Sequence, residues 1–111
     1  MSRSTFLGIN LGIFEVRVSL FDFEHQTLAD AAVRLTRSTP QSHWSEQSPE
    51  EWWHATLEAI AKVRADVPAA FSNLHGVGVS GQAQGTVLLD KHHRLLRPAI
   101  LWSDTRARAE C

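Results

Sequence analysis

Apolar and polar residues alternate along this chain at two periods, and the change from one to the other divides it into elements. Phe6 to Asn10 is a short apolar run, and from Val16 to Phe23 the residues Val16, Val18 and Leu20 share one side while Arg17, Ser19 and Phe21 share the other. A two-residue period belongs to a half-buried strand, so the spacing predicts two strands. Gly12 stands between them in a tight turn, where a residue without Cβ tolerates positive φ and lets other groups approach the backbone. Leu28 to Arg37 continues the alternation through Ala29, Ala31, Val33 and Leu35, which predicts a third strand and an antiparallel meander.

The period then changes. Thr39 to Gln47 reads as a loop from its Ser, Pro and Gln content, and Ser48-Pro49-Glu50-Glu51 supplies an N-cap, a first-turn proline and a capping-box acid. Trp52, Ala55, Thr56, Ala59, Ile60 and Val63 fall on one stripe of the helix this predicts, which suits packing on a sheet. The helix should end before Pro68, because proline disfavours helical geometry in its predecessor and lacks an amide hydrogen.

Leu74 to Ser80, with Val77 and Val79 around Gly78, reads as a buried strand that opens into the polar, glycine-bounded loop Ser80-Gly81-Gln82-Ala83-Gln84-Gly85. Such a loop is a place for a site. Thr86 to Leu89, a turn at Asp90 to Arg94, and Leu95 to Trp102 predict a hairpin, and Asp104 is placed to cap a second helix over residues 105–110.

Composition narrows the classes. At 111 residues with 43% apolar content, the chain suffices for one domain or part of one, and not for two lobes with a cleft between them. A net charge of -1 gives no broad footprint for nucleic acid or an anionic membrane, so neither is expected as a partner. The one cysteine, Cys111, cannot form an internal disulfide, which fits a reducing, cytoplasmic setting. Asn10 and Glu15 interrupt the first apolar stretch, disfavouring both a signal peptide and a membrane span. The six histidines lack metal-ligand spacing, with His92 and His93 adjacent in a turn, so no protein-held metal is expected.

The residues alone leave the chemistry open. The hairpin around Gly12 is either an ordinary strand pair or a phosphate cradle, and Gly81 to Gly85 is either a polar turn or a ligand loop. Of the four tryptophans, Trp52 falls on the packing stripe and Trp53 flanks it. Trp102, beside the glycine-bounded loop and Asp104, is the better candidate for stacking on a ligand.

Four stretches, in order and at natural spacing, resemble the N-terminal domain of FGGY carbohydrate kinases, in particular the xylulokinases. Gly8-Ile9-Asn10-Leu11-Gly12 through Arg17 is similar to the family's first phosphate-binding hairpin, and Trp44-Ser45-Glu46-Gln47 through Trp53 to the xylulokinase loop and helix start. Gly81-Gln82-Ala83-Gln84-Gly85 stands where xylulokinases carry Gly-Gln-Met-His-Gly, and Arg97 to Arg106 resembles the segment that follows. The resemblance implies an α/β fold: the front of a ribonuclease H-like lobe of the actin and hexokinase type, with a mixed sheet formed by an antiparallel meander followed by a helix. Residues 1–111 would then form part of an N-terminal domain truncated within its lobe. It implies in-line transfer of the γ-phosphate of ATP, with Mg, to a ketose or polyol hydroxyl. The family's general base and most of its adenine site would lie beyond residue 111, so the 111 residues alone should not turn over.

The resemblance also assigns roles. Asn10 occupies the position of the family's catalytic aspartate, Gly12, Ile13 and Arg17 would face ATP, and Gln82, Ala83, Gln84, Trp102 and Asp104 would face the sugar. Several of these depart from the family pattern. Asn10 keeps an acceptor oxygen without the negative charge that attracts a hard cation, and Ile13 replaces a threonine hydroxyl. Arg17 replaces a lysine and can fork onto phosphate oxygens, whereas Glu15 would repel phosphate unless neutralised. A degenerate, non-catalytic domain that binds a sugar or a partner is the alternative these departures favour. Exposed edges left by a partial lobe would also predispose the chain to aggregate or form a homodimer.

Overall fold

The computed structural model describes residues 4–82 and 85–107. Three strands form the expected meander: β1 (Thr5–Leu11), β2 (Glu15–Asp22) and β3 (Thr27–Arg34). A two-residue strand, β4 (Glu46–Gln47), leads into helix α1 (Pro49–Asp66), followed by the short α2 (Pro68–Phe71), β5 (Leu74–Gly81) and β6 (Ala99–Ile100). The main sheet has the order β3-β2-β1-β5, with the meander antiparallel and β5 added parallel to β1. A second, two-stranded sheet pairs β4 with β6.

The core follows from the two periods. Val16, Val18 and Leu20, the inward residues of β2, are fully buried beneath Ala55, Ala59 and Val63 of α1. Two alanines and a valine on the contact face let the helix lie close to the sheet, and burial of each large side chain there contributes about 1.5–3 kcal/mol. Arg17, Ser19 and Phe21 point to the opposite face, as the alternation predicts.

Helix α1 starts after Ser48 and stops at Asp66, with Val67 as its C-cap and Pro68 opening α2. The capping chemistry differs from expectation. Ser48 makes no side-chain cap bond, and the Glu51 carboxylate accepts from the amide and hydroxyl of Thr36 at 2.7 and 2.8 Å. Glu51 therefore ties the helix to the segment after β3 and does not close a capping box.

Strand β5 is not buried. Val77 and Val79 pair in register with Leu7 and Ile9 and so stand on the helix-bearing face, yet they are 56% and 73% exposed. The cause is placement: α1 packs on β2 and β3 and leaves the edge strand uncovered. The segment read as a loop also changes at its end, where Glu46 and Gln47 become β4 and are buried.

The hairpin after β5 is present as Leu89 bridged to Leu95 and Thr86 bridged to Ile100, around an Asp90 turn closed by a 2.9 Å bond from the Asp90 amide to the Arg94 carbonyl. Residues 105–107 are not helical; Asp104 Oδ1 accepts the Arg106 amide at 2.9 Å, a local turn, and residues 108–110 of the expected helix lie outside the described residues.

Candidate functional site

Strand register brings three polar residues side by side. Asn10 of β1 is paired with Arg17 of β2 and with Ser80 of β5, and all three belong to the face opposite α1. Gly8, Ile9, Ser19, Phe21, Gly78 and Val79 complete the lining of an open depression of about 410 Å³ around them. Its floor is shallow because small residues alternate there.

The polar groups in this depression are already engaged. Ser80 Oγ donates to Asn10 Oδ1 at 2.9 Å, which leaves the Asn10 carboxamide N–H groups and one lone pair. Arg17 reaches Asp30 at 2.6 Å and Glu15 at 3.0 Å, and these carboxylates, Asp30 foremost, raise its already high pKa. Glu15 is thus neutralised by Arg17 and does not stand free before a phosphate. An incoming phosphate would have to compete with two carboxylates for the same guanidinium, although all three groups are in contact with solvent, where such pairs are weak.

The second part of the site forms where β1 and β5 end together, at Leu11 opposite Gly81. Ligands of open α/β sheets commonly gather beyond the carboxyl ends of parallel strands. The turn after β1 closes through the Gly12 amide and the Glu15 carbonyl at 2.9 Å. Among the described residues no glycine has positive φ, so Gly12 serves by close approach: a Cβ there would lie 3.1 Å from the Glu15 carbonyl oxygen.

Gln82 and Gln47 join this turn to the loop after β5. Gln82 Nε2 lies 3.3 Å from the Gly12 carbonyl and 3.2 Å from Gln47 Oε1. Gln47, itself buried, donates through Nε2 to the Ile13 carbonyl at 2.5 Å and accepts from the Trp52 indole at 2.9 Å. Gln82 Oε1 is buried and has no hydrogen-bond partner among the described residues. Ala83 and Gln84 lie outside the described residues.

Asp104 and Trp102 part company. Trp102 is 58% exposed and available for stacking. The Asp104 side chain is only 1% exposed; its carboxylate accepts Arg106 Nε and Nη2 at 2.9 and 2.6 Å and the Ser45 amide at 2.6 Å. These donors, Arg106 above all, hold its carboxyl well below the usual carboxylate range. Arg106 in turn bonds Glu46 at 2.6 Å and stacks 3.8 Å from the centre of the Trp44 ring, while Arg97 bonds the same Glu46 oxygen. Asp104 is therefore a strut between the 44–47 and 97–106 segments, with its oxygens already occupied.

Sequence reasoning passed over Ser45, Glu46 and Gln47, three buried polar residues in a stretch that reads as loop. The available cue was charge: one acid, Glu46, ahead of a later segment carrying Arg97 and Arg106. Gln47 gave no cue, since only the fold brings it to Ile13.

Among the described residues no three His, Cys, Asp or Glu side chains gather in a metal-holding group, and no helix is long and apolar enough to cross a membrane. Asn10 offers one neutral oxygen, and the nearest carboxylates are paired with Arg17. This donor set does not by itself suit a divalent cation.

Comparison with known proteins identifies the family. Residues 5–111 match the FGGY family of carbohydrate kinases, N-terminal domain. The chain is 42% identical over 106 residues to the xylulose kinase of Escherichia coli K12 and 35% identical over 105 residues to that of Bacillus subtilis 168, covering 96% and 95% of this chain. It spans 22% and 21% of those proteins. Among solved structures, a "xyloylose kinase" from Brucella ovis superposes with a TM-score of 0.93 at 42% identity, covering 96% of this chain and 22% of its own. The xylulose kinase of Rhodospirillum rubrum gives 0.85 at 28% identity, covering 96% and 23%. The mixed sheet followed by a helix matches the N-terminal part of an actin- and hexokinase-like fold. On the match over residues 5–111 and the identity with these kinases, the chain belongs to the FGGY family of carbohydrate kinases, within its N-terminal domain.

Proposed function

We propose that these residues form the phosphate-facing and sugar-facing front of an ATP-dependent carbohydrate kinase of xylulokinase type, acting in the cytoplasm on a ketose or polyol. One observation carries the reading. The depression of Asn10, Arg17 and Ser80 and the Gly12 turn with Gln82 stand at the same end of one sheet, and Gln47 fastens that turn to Gln82.

In this reading Arg17 exchanges Asp30 and Glu15 for phosphate oxygens, which its planar fork accepts in pairs. The Gly12 turn lies close to the Glu15 carbonyl of β2, where a side chain would crowd the backbone. Gln82 and Trp102 meet the sugar, one by hydrogen bonding and the other by stacking. Magnesium would arrive with ATP, because Asn10 gives it no charged ligand. In this reading residues 1–111 bind the two substrates without turning them over.

A second reading rests on Asn10 and Arg17 themselves: a neutral amide held by Ser80 and a cation held by two carboxylates suit a domain that has ceased to handle metal-bound phosphate. Amide NMR of the labelled chain separates the two. Titration with magnesium-ATP should shift Asn10, Arg17 and Ser80, and titration with D-xylulose should shift Gln82 and Trp102. Sugar shifts without nucleotide shifts would favour the degenerate domain, and shifts scattered over unrelated surfaces would remove both.

A further inference from the structure

We infer that Gln47 is a positioning residue: it fixes the carboxamide of Gln82 so that Nε2 is held by protein and Oε1 is left as an acceptor for a ligand hydroxyl. The inference rests on the sugar-facing reading of Gln82 for its ligand, and on geometry alone for the positioning.

Hydrogen-bond polarity dictates the arrangement. The Trp52 indole can only donate, and a backbone carbonyl can only accept. Gln47 must therefore turn its oxygen to Trp52 Nε1 at 2.9 Å and its nitrogen to the Ile13 carbonyl at 2.5 Å; the reverse orientation would set donor against donor and acceptor against acceptor. With Gln47 Oε1 fixed, the group that meets it at 3.2 Å must donate, and so must the group facing the Gly12 carbonyl at 3.3 Å. Both are Gln82 Nε2. The second amide is thereby oriented by the first, and Gln82 Oε1 remains buried without a partner among the described residues. A buried carbonyl oxygen left bare is costly, so a group that supplies an O–H or N–H there is favoured and one that brings a further lone pair is rejected. That polarity suits a neutral polyol and opposes a carboxylate or phosphate.

The positioning role has a signature that mere packing lacks. In Gln47→Glu an ionised oxygen faces the Ile13 carbonyl, a repulsion that raises the pKa of the introduced carboxyl and turns the ionised side chain away from Ile13 and from Gln82. Once protonated, that oxygen donates to Ile13 as the native amide does. The measurement is exchange of the Gln82 carboxamide protons with water, by NMR on the 111-residue chain, each variant compared with wild type at the same pH. Gln47→Leu should accelerate exchange about tenfold at every pH, the equivalent of one lost hydrogen bond. Gln47→Glu should match wild type at acid pH and approach Gln47→Leu at neutral pH. If Gln47→Leu fails to fold, the pH dependence of Gln47→Glu still decides. Exchange in Gln47→Glu that follows wild type across the whole pH range overturns the inference. Adding D-xylulose to wild type should further slow Gln82 exchange. No response to the sugar, with the pH signature intact, overturns the sugar reading and leaves the positioning role standing.

Discussion

Gln47 Nε2 lies 2.5 Å from the carbonyl oxygen of Ile13, a contact across 34 residues that fastens the end of β4, just ahead of α1, to the turn between β1 and β2. The turn that would face a phosphate is thus held by a side chain from outside its own hairpin. Gln47→Leu leaves the Ile13 carbonyl unsatisfied in a part-buried setting, and should destabilise the chain by about 1–3 kcal/mol. Urea denaturation followed by tryptophan fluorescence measures this, and an unchanged midpoint would show that water replaces the bond freely.

The start of α1 reverses the usual ranking of cap residues. Ser48→Ala should cost well under the ~1 kcal/mol typical of an N-cap serine, because its hydroxyl makes no cap bond. Glu51→Ala removes the acceptor of two Thr36 donors and should cost about 1 kcal/mol. Denaturant midpoints of the two variants side by side test the order, and a larger loss in Ser48→Ala would contradict it.

Asp104 makes stability depend on pH on the acid side. Its folded carboxyl titrates below the unfolded value of about 4, so between those two values the unfolded chain binds a proton that the folded chain does not. Stability from this group is complete above pH about 4 and is lost as pH falls through the folded value. Asp104→Asn should be less stable than wild type at pH 7, and its stability should fall less steeply below pH about 4. Parallel stability curves for the two proteins would sink this account.

The contact between α1 and β2 has no room to spare. Leu20 and Ala59 are both 0% exposed. Leu20→Ala should cost about 3 kcal/mol through lost burial and a cavity, and Ala59→Leu about 2 kcal/mol through overpacking. Thermal unfolding of both variants checks the pair, and tolerance of Ala59→Leu would mean the helix can lift from the sheet.

The meander and the helix were legible because each depends on nearest neighbours in sequence. Val16, Val18 and Leu20 alternate, and Ala55, Ala59 and Val63 recur at helical spacing, whatever the rest of the chain does. Exposure of Val77 and Val79 was not legible, because an apolar strand reads the same whether or not a helix reaches it. The polar struts were hidden for a related reason. Glu46, Gln47 and Asp104 look like surface residues until the fold supplies Arg106, Ile13 and the Ser45 amide from distant positions. Asn10, Arg17 and Ser80 were brought together by register between strands, which the alternation within one strand does not supply.

We propose that the β1–β2 hairpin is a kinase-family phosphate hairpin lacking its anionic handle at Asn10. Calorimetric titration of magnesium-ATP into wild type and the Asn10→Asp, Ile13→Thr double variant tests it most directly. Restoring a carboxylate and a hydroxyl should tighten binding about tenfold, the scale of one charge-assisted contact, and make it depend on magnesium. Equal affinities, or tightening that persists when magnesium is chelated, would contradict the account.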